Sequence, residues 1–146
     1  MKLKNVEKQL CKLFKNQWGG LPEIEYDDDD PKGVSADIYL NYTLANVSKD
    51  FYFSVSIYEN FAQVFIILGK IAWSKEVAYA INNFNDISNI FRAYHTDGEL
   101  RLCYTDGFLK DEKNLENFFN RAVTAFEIYI DRLEGIWEQI QENDGE

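Results

Sequence analysis

The chain has 146 residues, is 46% hydrophobic and 16% aromatic, and carries a formal net charge of −10. That length and composition fit one domain, residues 1–146, which can bury a core without disulfide or metal staples, and they exclude a disordered chain. A body this acidic repels phosphate backbones, which argues against nucleic acid and favours a basic protein surface as partner; the alternative is that the charge serves solubility alone.

Residues 1–18 read as an amphipathic helix, because Leu3, Val6, Leu10, Leu13, Phe14 and Trp18 recur at intervals of three and four. Lys2, Lys4, Lys8, Lys12 and Lys15 lie mostly off that stripe, against Glu7 alone. This helix therefore has a surplus of four positive charges, and the rest of the chain carries about −14. Gly19-Gly20 and Pro22 end it. The stretch EIEYDDDDPKG, residues 23–33, reads as an exposed acidic loop, since the adjacent carboxylates of Asp27, Asp28, Asp29 and Asp30 repel one another. A calcium loop is excluded: counted from Asp28, the fifth position is Lys32 and the twelfth is Tyr39, where oxygen ligands are needed.

Val34, Ala36, Ile38, Leu40 and Tyr42 alternate with polar and aromatic residues and predict a half-buried strand. TLANVSKD, residues 43–50, reads as a polar loop, and Phe51, Phe53, Val55 and Ile57 mark a second strand ending at a Glu59-Asn60 turn. The run FAQVFIILGK is apolar on both faces, with Ala62, Val64, Ile66 and Leu68 on one and Phe65 and Ile67 on the other. Such a strand lies centrally, or its second face meets another chain. Ser74 is the natural N-cap of a helix burying Val77, Ala80, Ile81, Phe84 and Ile87. Asn82, Asn85 and Asn89 lie along one polar edge of it, placed to bond the backbone near the helix end and the next strand. Strands at 90–96 and 99–105 flank Asp97-Gly98, a type I′ hairpin signal, and Asp106-Gly107 closes the second. Asp111 or Asn114 caps a long final helix with a stripe from Leu115 to Ile140, and 140–146 is expected to fray. The expected class is α+β, in the order α-β-β-β-α-β-β-α, with a twisted antiparallel sheet covered by helices.

Little of this looks like chemistry. Cys11 and Cys103 read as small core residues in a reducing compartment, and a single histidine, His95, gives no zinc site. Cys103 and His95 fall on paired strands and could come within reach, but nothing in that strand setting activates a thiol. There is no phosphate-binding glycine motif, and Gly69-Lys70 lacks the upstream glycines of one. No catalytic residue, cofactor, metal or small-molecule substrate is expected. No run has the length of a signal peptide or membrane span, so a cytoplasmic protein is expected. Arg92 and Arg101, on paired strands beside Tyr94, could form a small positive patch, for which acidic neighbours are the ordinary explanation. Phe65, Ile67, Phe119 and Trp137 offer either an apolar partner surface or a covered core face.

The stretch AINNFNDISNIFRAYHTDGELRLCYTDGF, followed by LENFFNRAVTAFEIYIDRL, resembles the YbjN family over roughly residues 74–135. The element order of the whole chain is similar to that of type III secretion chaperones. The acidic run 27–30 and the basic first helix depart from the pattern. The resemblance implies a small, acidic, non-catalytic homodimer that binds a protein partner on sheet edges and apolar grooves, and it transfers no catalytic residue. The rival reading is an acidic inhibitor or immunity protein from a phage or mobile element, blocking a basic target such as a nuclease.

Overall fold

The structure, a computed structural model, describes residues 2–29, 31–44, 47–59, 61–106, 111–137 and 139–140. In chain order the elements are α1 (Leu3–Trp18), β1 (Glu23–Asp27), β2 (Gly33–Leu44), β3 (Val47–Tyr58), β4 (Ala62–Lys70), α2 (Lys75–Ile87), β5 (Arg92–Thr96), β6 (Glu99–Asp106) and α3 (Glu112–Tyr129). A 3₁₀ turn (Ile130–Leu133) and the short α4 (Glu134–Trp137) follow. The strands form one six-stranded sheet in the order β1-β2-β3-β4-β6-β5, with every neighbouring pair antiparallel. The fold is α+β, as the element pattern predicts, with one strand more than the sequence suggested.

That extra strand corrects the reading of 23–33 as a loop. Glu23–Asp27 pairs with β2, Glu23 opposite Asp37 and Asp27 opposite Gly33, which leaves only a short connection. The carboxylates tolerate it because β1 is an edge strand, where Glu23, Glu25 and Asp27 stay exposed. Between them Ile24 packs against the core, and the Tyr26 hydroxyl donates to the Glu7 carboxylate on α1. Most of the expected loop 43–50 is strand, with residues 45–46 lying outside the described residues: β2 runs to Leu44 and β3 starts at Val47. Their polar side chains bond one another on the exposed face, Asn41 Nδ2 to Asp50 Oδ1 at 2.8 Å and Ser48 Oγ to Asn41 Oδ1 at 3.0 Å. Lys49 points the other way and donates its ammonium to the Ile140 carbonyl at 2.5 Å, tying the end of the described chain to the sheet.

The helices lie on one face of the sheet. Ser74 caps α2 by accepting from the Val77 N–H at 3.1 Å, and Asp111, not Asn114, caps α3 by accepting from the Asn114 N–H at 2.9 Å. Val77, Ile81 and Phe84 are buried as expected, whereas Ile87 is exposed at the end of α2. The long final helix is broken at Tyr129. Ile130, Leu133 and Ile136 continue the buried stripe at spacings of three, the period of a 3₁₀ turn. The core is aromatic: Phe14 of α1 meets Phe53 of β3 and Phe119 of α3, while Trp137 packs on Phe51 with ring centroids 5.4 Å apart. Phe119 and Trp137, placed by the sequence either on a partner surface or on a covered core face, are 1% and 0% exposed and belong to this core, so they are not partner-binding residues.

Two glycines fix the sheet. The β5–β6 turn is the predicted type I′ hairpin, with φ of 52° at Asp97 and 74° at Gly98. At Gly33 a Cβ would lie 2.6 Å from the Tyr58 ring and 2.8 Å from the Ile57 carbonyl, so only glycine lets β2 start against β3.

Candidate protein-binding surface

Alternation along each strand sends one set of residues into the core and the other to the opposite face. Among the described residues, no helix packs on that opposite face, and the register builds two rows of side chains across it. The first runs Tyr39–Tyr52–Ile67–Arg101–Tyr94, over β2, β3, β4, β6 and β5. The second runs Glu23–Asp37–Ser54–Phe65–Cys103–Arg92 and spans all six strands. Tyr39 is 72% exposed, and Tyr52, Phe65, Ile67, Tyr94 and Arg101 are half-buried. Phe65 and Ile67 are thus half-buried on the open face, on a strand that lies within the sheet between β3 and β6.

The rows are held rigidly. The Tyr39 and Tyr52 rings meet edge to face, with centroids 5.3 Å apart. Asp37 accepts from Ser54 Oγ at 2.5 Å. Burial first, then the hydrogen bond to Asp37 and its charge, hold the Tyr52 phenol well above its ordinary range. The Arg101 guanidinium lies 5.3 Å from the Phe65 ring centroid. Its Nε donates to Glu99 at 2.9 Å, and Nη2 lies 3.6 Å from Asp97, so acidic neighbours do accompany this arginine. Burial also raises the Tyr94 phenol, partly offset by a hydrogen bond with Arg101. Gln63 Nε2 donates to Cys103 Sγ at 3.2 Å.

His95 and Cys103 do not come together. Cys103 stands opposite Arg92 on the open face, whereas His95 stands opposite the buried Leu100 on the covered face. His95 Nε2 bonds the Ile71 carbonyl at 2.7 Å, and its ring lies 5.4 Å from that of the exposed Trp73. Among the described residues no group of three histidine, cysteine or acidic side chains is placed to hold a metal ion, and no helix is long and apolar enough to cross a membrane. An open groove of about 440 Å³ runs between Asn89-Ile90 and the α3 residues Arg121, Thr124 and Ile128. The Arg121 guanidinium is engaged by the Tyr104 hydroxyl at 3.1 Å and Asp106 at 3.2 Å.

The acidic residues form a flank of this surface. Asp27, Asp28 and Asp29 are exposed, with the Asp29 N–H bonding Asp27 Oδ1 at 3.1 Å. Asp30, Asn60, Gly107 and the tail 141–146 lie outside the described residues. The asparagines divide. Asn85 bonds β5 twice, donating Nδ2 to the Ala93 carbonyl at 3.0 Å and accepting the Ala93 N–H at 2.7 Å. Its side chain thus occupies the place of a neighbouring strand. Asn82 is exposed and Asn89 lines the groove.

Tyr39 and Tyr52 were not singled out from the sequence, and Tyr94 only as the neighbour of Arg92 and Arg101. Their signal was present in the alternation: tyrosines stand where an outward strand position ordinarily carries a charged or small polar residue. The class these features define is an α+β domain with a half-covered antiparallel sheet and an aromatic open face. No family model matches the chain, and no curated protein matches its sequence.

Proposed function

We propose that this chain is a non-catalytic, cytoplasmic protein-binding module that holds a protein partner against the open face of its sheet, in the manner of the YbjN-like and secretion-chaperone-like domains it resembles. One observation carries the reading: the row Tyr39–Tyr52–Ile67–Arg101–Tyr94 on a face left uncovered among the described residues. Tyrosine and arginine anchors over a rigid apolar centre are the composition of energetic hot spots in protein interfaces. A photo-crosslinking residue at position 39 or 67, expressed in the native host, should capture protein; the same probe at the helix-layer position 82 should not. Equal capture from both, or none from the face, overturns the reading.

A second reading rests on the exposed Glu23, Glu25, Asp27, Asp28 and Asp29 along the free edge of β1. It is an acidic inhibitor or immunity protein that blocks a basic target such as a nuclease. Affinity that falls steeply between low and high salt, and falls further when these carboxylates are neutralised, would favour it over the apolar face.

A further inference from the structure

We infer that the outer face of α1 docks the protein on an anionic lipid surface. This goes beyond the reading of the open sheet face and uses the opposite side of the molecule. Lys4, Lys8, Lys12 and Lys15 are all exposed. At about 100° per residue they fall within an arc of about 80°, nearly opposite the buried Val6, Leu10, Leu13 and Phe14. From Lys4 to Lys15 the row is ~17 Å long, at about 1.5 Å rise per residue. Among the described residues no carboxylate pairs with it: the ion pairs are those of Arg101 and Arg121, and Glu7 on α1 is engaged by the Tyr26 hydroxyl. Folding alone does not ask for this row. Lys4 and Lys8, then Lys8 and Lys12, are like charges four residues apart, which weakens a helix. Lys4 also stands in the first turn, where the helix dipole favours an acid and α1 has none. A chain with a formal charge of −10 has carboxylates to spare for both purposes and places them elsewhere. A local rule broken in this way marks a functional surface.

The acidity of the chain does not oppose this docking, because it lies elsewhere. By formal count α1 carries +3, α2 −1 and α3 −1, so the three long helices together are +1 and the remaining −11 lies on the strands, the connections and the ends. Glu23, Glu25 and Asp37 stand on the far face of the sheet. A helix is about 10–12 Å thick with its side chains, so the lysine row stands more than a Debye length, about 8 Å, above the sheet. Three features select lipid over other anions. The row is straight and narrow, which matches a plane rather than a single charged group. It is lysine alone, whereas the arginines, whose planar forks pick out individual carboxylates and phosphates, are on β5, β6, α3 and the 3₁₀ turn. The aromatic residues of α1, Phe14 and Trp18, pack on Phe53 and offer no ring for a nucleic-acid base. Finally, two residues past the Gly19 cap, Leu21 is 69% exposed, an aliphatic side chain at the end of the helix that can enter the headgroup boundary. Docked through α1, the protein turns its open face away from the lipid and keeps it free for a partner.

The test is cosedimentation of the full chain with phosphatidylcholine vesicles containing about 30% phosphatidylserine, against phosphatidylcholine alone. The chain should pellet with the first and not the second, and should be released as salt rises to about 0.5 M. Each lysine near an anionic leaflet is worth about fivefold, so Lys8→Gln combined with Lys12→Gln should weaken binding roughly 25-fold. Lys70→Gln, at an exposed position on β4, removes charge away from the row and should change binding by less than about twofold. Leu21→Ser should weaken it about tenfold. The double lysine variant should unfold no earlier than the unaltered chain, because it relieves like-charge repulsion along α1. No pelleting at low salt, equal pelleting with neutral vesicles, as large a loss in Lys70→Gln, or earlier unfolding of the double variant overturns the inference. So does binding to polyglutamate without binding to anionic vesicles, which would assign the row to an acidic protein instead. None of these outcomes bears on the open sheet face, which the crosslinking probes at positions 39 and 67 read separately.

Discussion

Replacing Asn85 by alanine removes two hydrogen bonds whose geometry is that of a strand pair, 3.0 Å to the Ala93 carbonyl and 2.7 Å from the Ala93 N–H. Each is worth about 1 kcal/mol net, and Ala93 is 3% exposed, so leaving its amide unpaired adds to the loss. Against this, alanine is a better helix former than asparagine by roughly 0.7 kcal/mol. The balance is a destabilisation of about 2 kcal/mol, or ~4–8 °C in the melting temperature of a domain this size. Asn85→Asp should also destabilise: it keeps the acceptor for the Ala93 N–H but sets a carboxylate against the Ala93 carbonyl. Asn82→Ala, at an exposed site on the same helix, should be neutral or slightly stabilising. Urea midpoints give the energies, and native-state hydrogen exchange should show the Ala93 amide opening faster in Asn85→Ala. If Asn85→Ala lies within about 0.5 kcal/mol of Asn82→Ala, or the amide stays protected, the side chain is not closing the edge of β5.

Gly33→Ala should cost about 1–3 kcal/mol in chemical denaturation, because the added methyl would stand 2.6 Å from the Tyr58 ring and 2.8 Å from a backbone oxygen. Phe119→Ala should lower stability by about 3–5 kcal/mol, since it empties the contact with Phe14, whereas Tyr39→Ala should change it by less than about 1 kcal/mol. That contrast is read from thermal or urea unfolding and separates core from surface aromatics. Tyr42, Tyr52, Tyr94 and Tyr104 are each held above the ordinary value of 10.0, burial being the largest cause. They release protons sooner in the unfolded chain, so the stability they contribute is full below about pH 10 and is lost as pH climbs toward the folded values. Unfolding midpoints should therefore fall between about pH 9 and about pH 11.5, less steeply in Tyr52→Phe; a flat profile would contradict the burial of these phenols.

The parts of the fold legible in the sequence are those set by local rules. The alternation of Val34 to Tyr42 and of Phe51 to Ile57, the Asp97-Gly98 turn and the Ser74 cap each follow from pleat, positive φ or an orphan N–H. What escaped was set by neighbours. The acidic Glu23–Asp27 becomes a strand only because β2 offers it an edge, and β2 and β3 run on to Leu44 and from Val47 because Asn41, Ser48 and Asp50 bond one another across the pair. The candidate surface was half legible. Phe65 and Ile67 stood out because β4 is apolar on both sides, but the row that contains Ile67 depends on the register of four strand pairs. Phe119 and Trp137 left two readings open for the converse reason. Their apolarity was visible, whereas the aromatic partners Phe14 and Phe51 that cover them come from distant segments.

The two edges of the sheet bear on how a partner could dock. Strand addition needs an edge with free backbone groups and neutral flanks. At β5 the Ala93 backbone is already engaged by Asn85, and Arg92 Nη1 reaches the Asn85 carbonyl at 2.8 Å. At the other end β1 is five residues long and carries Glu23, Glu25 and Asp27, so a strand added there would set its backbone beside three exposed carboxylates. Both ends thus work against the edge-binding mode that the family resemblance implies, and the helix layer occupies one face. The proposed docking therefore falls to the remaining face, where affinity must come from side chains rather than from backbone ladders. An interface of that kind takes its orientation from a few side chains, so a crosslinking probe at position 39 or 67 tests the docking more sharply than any change at the two edges.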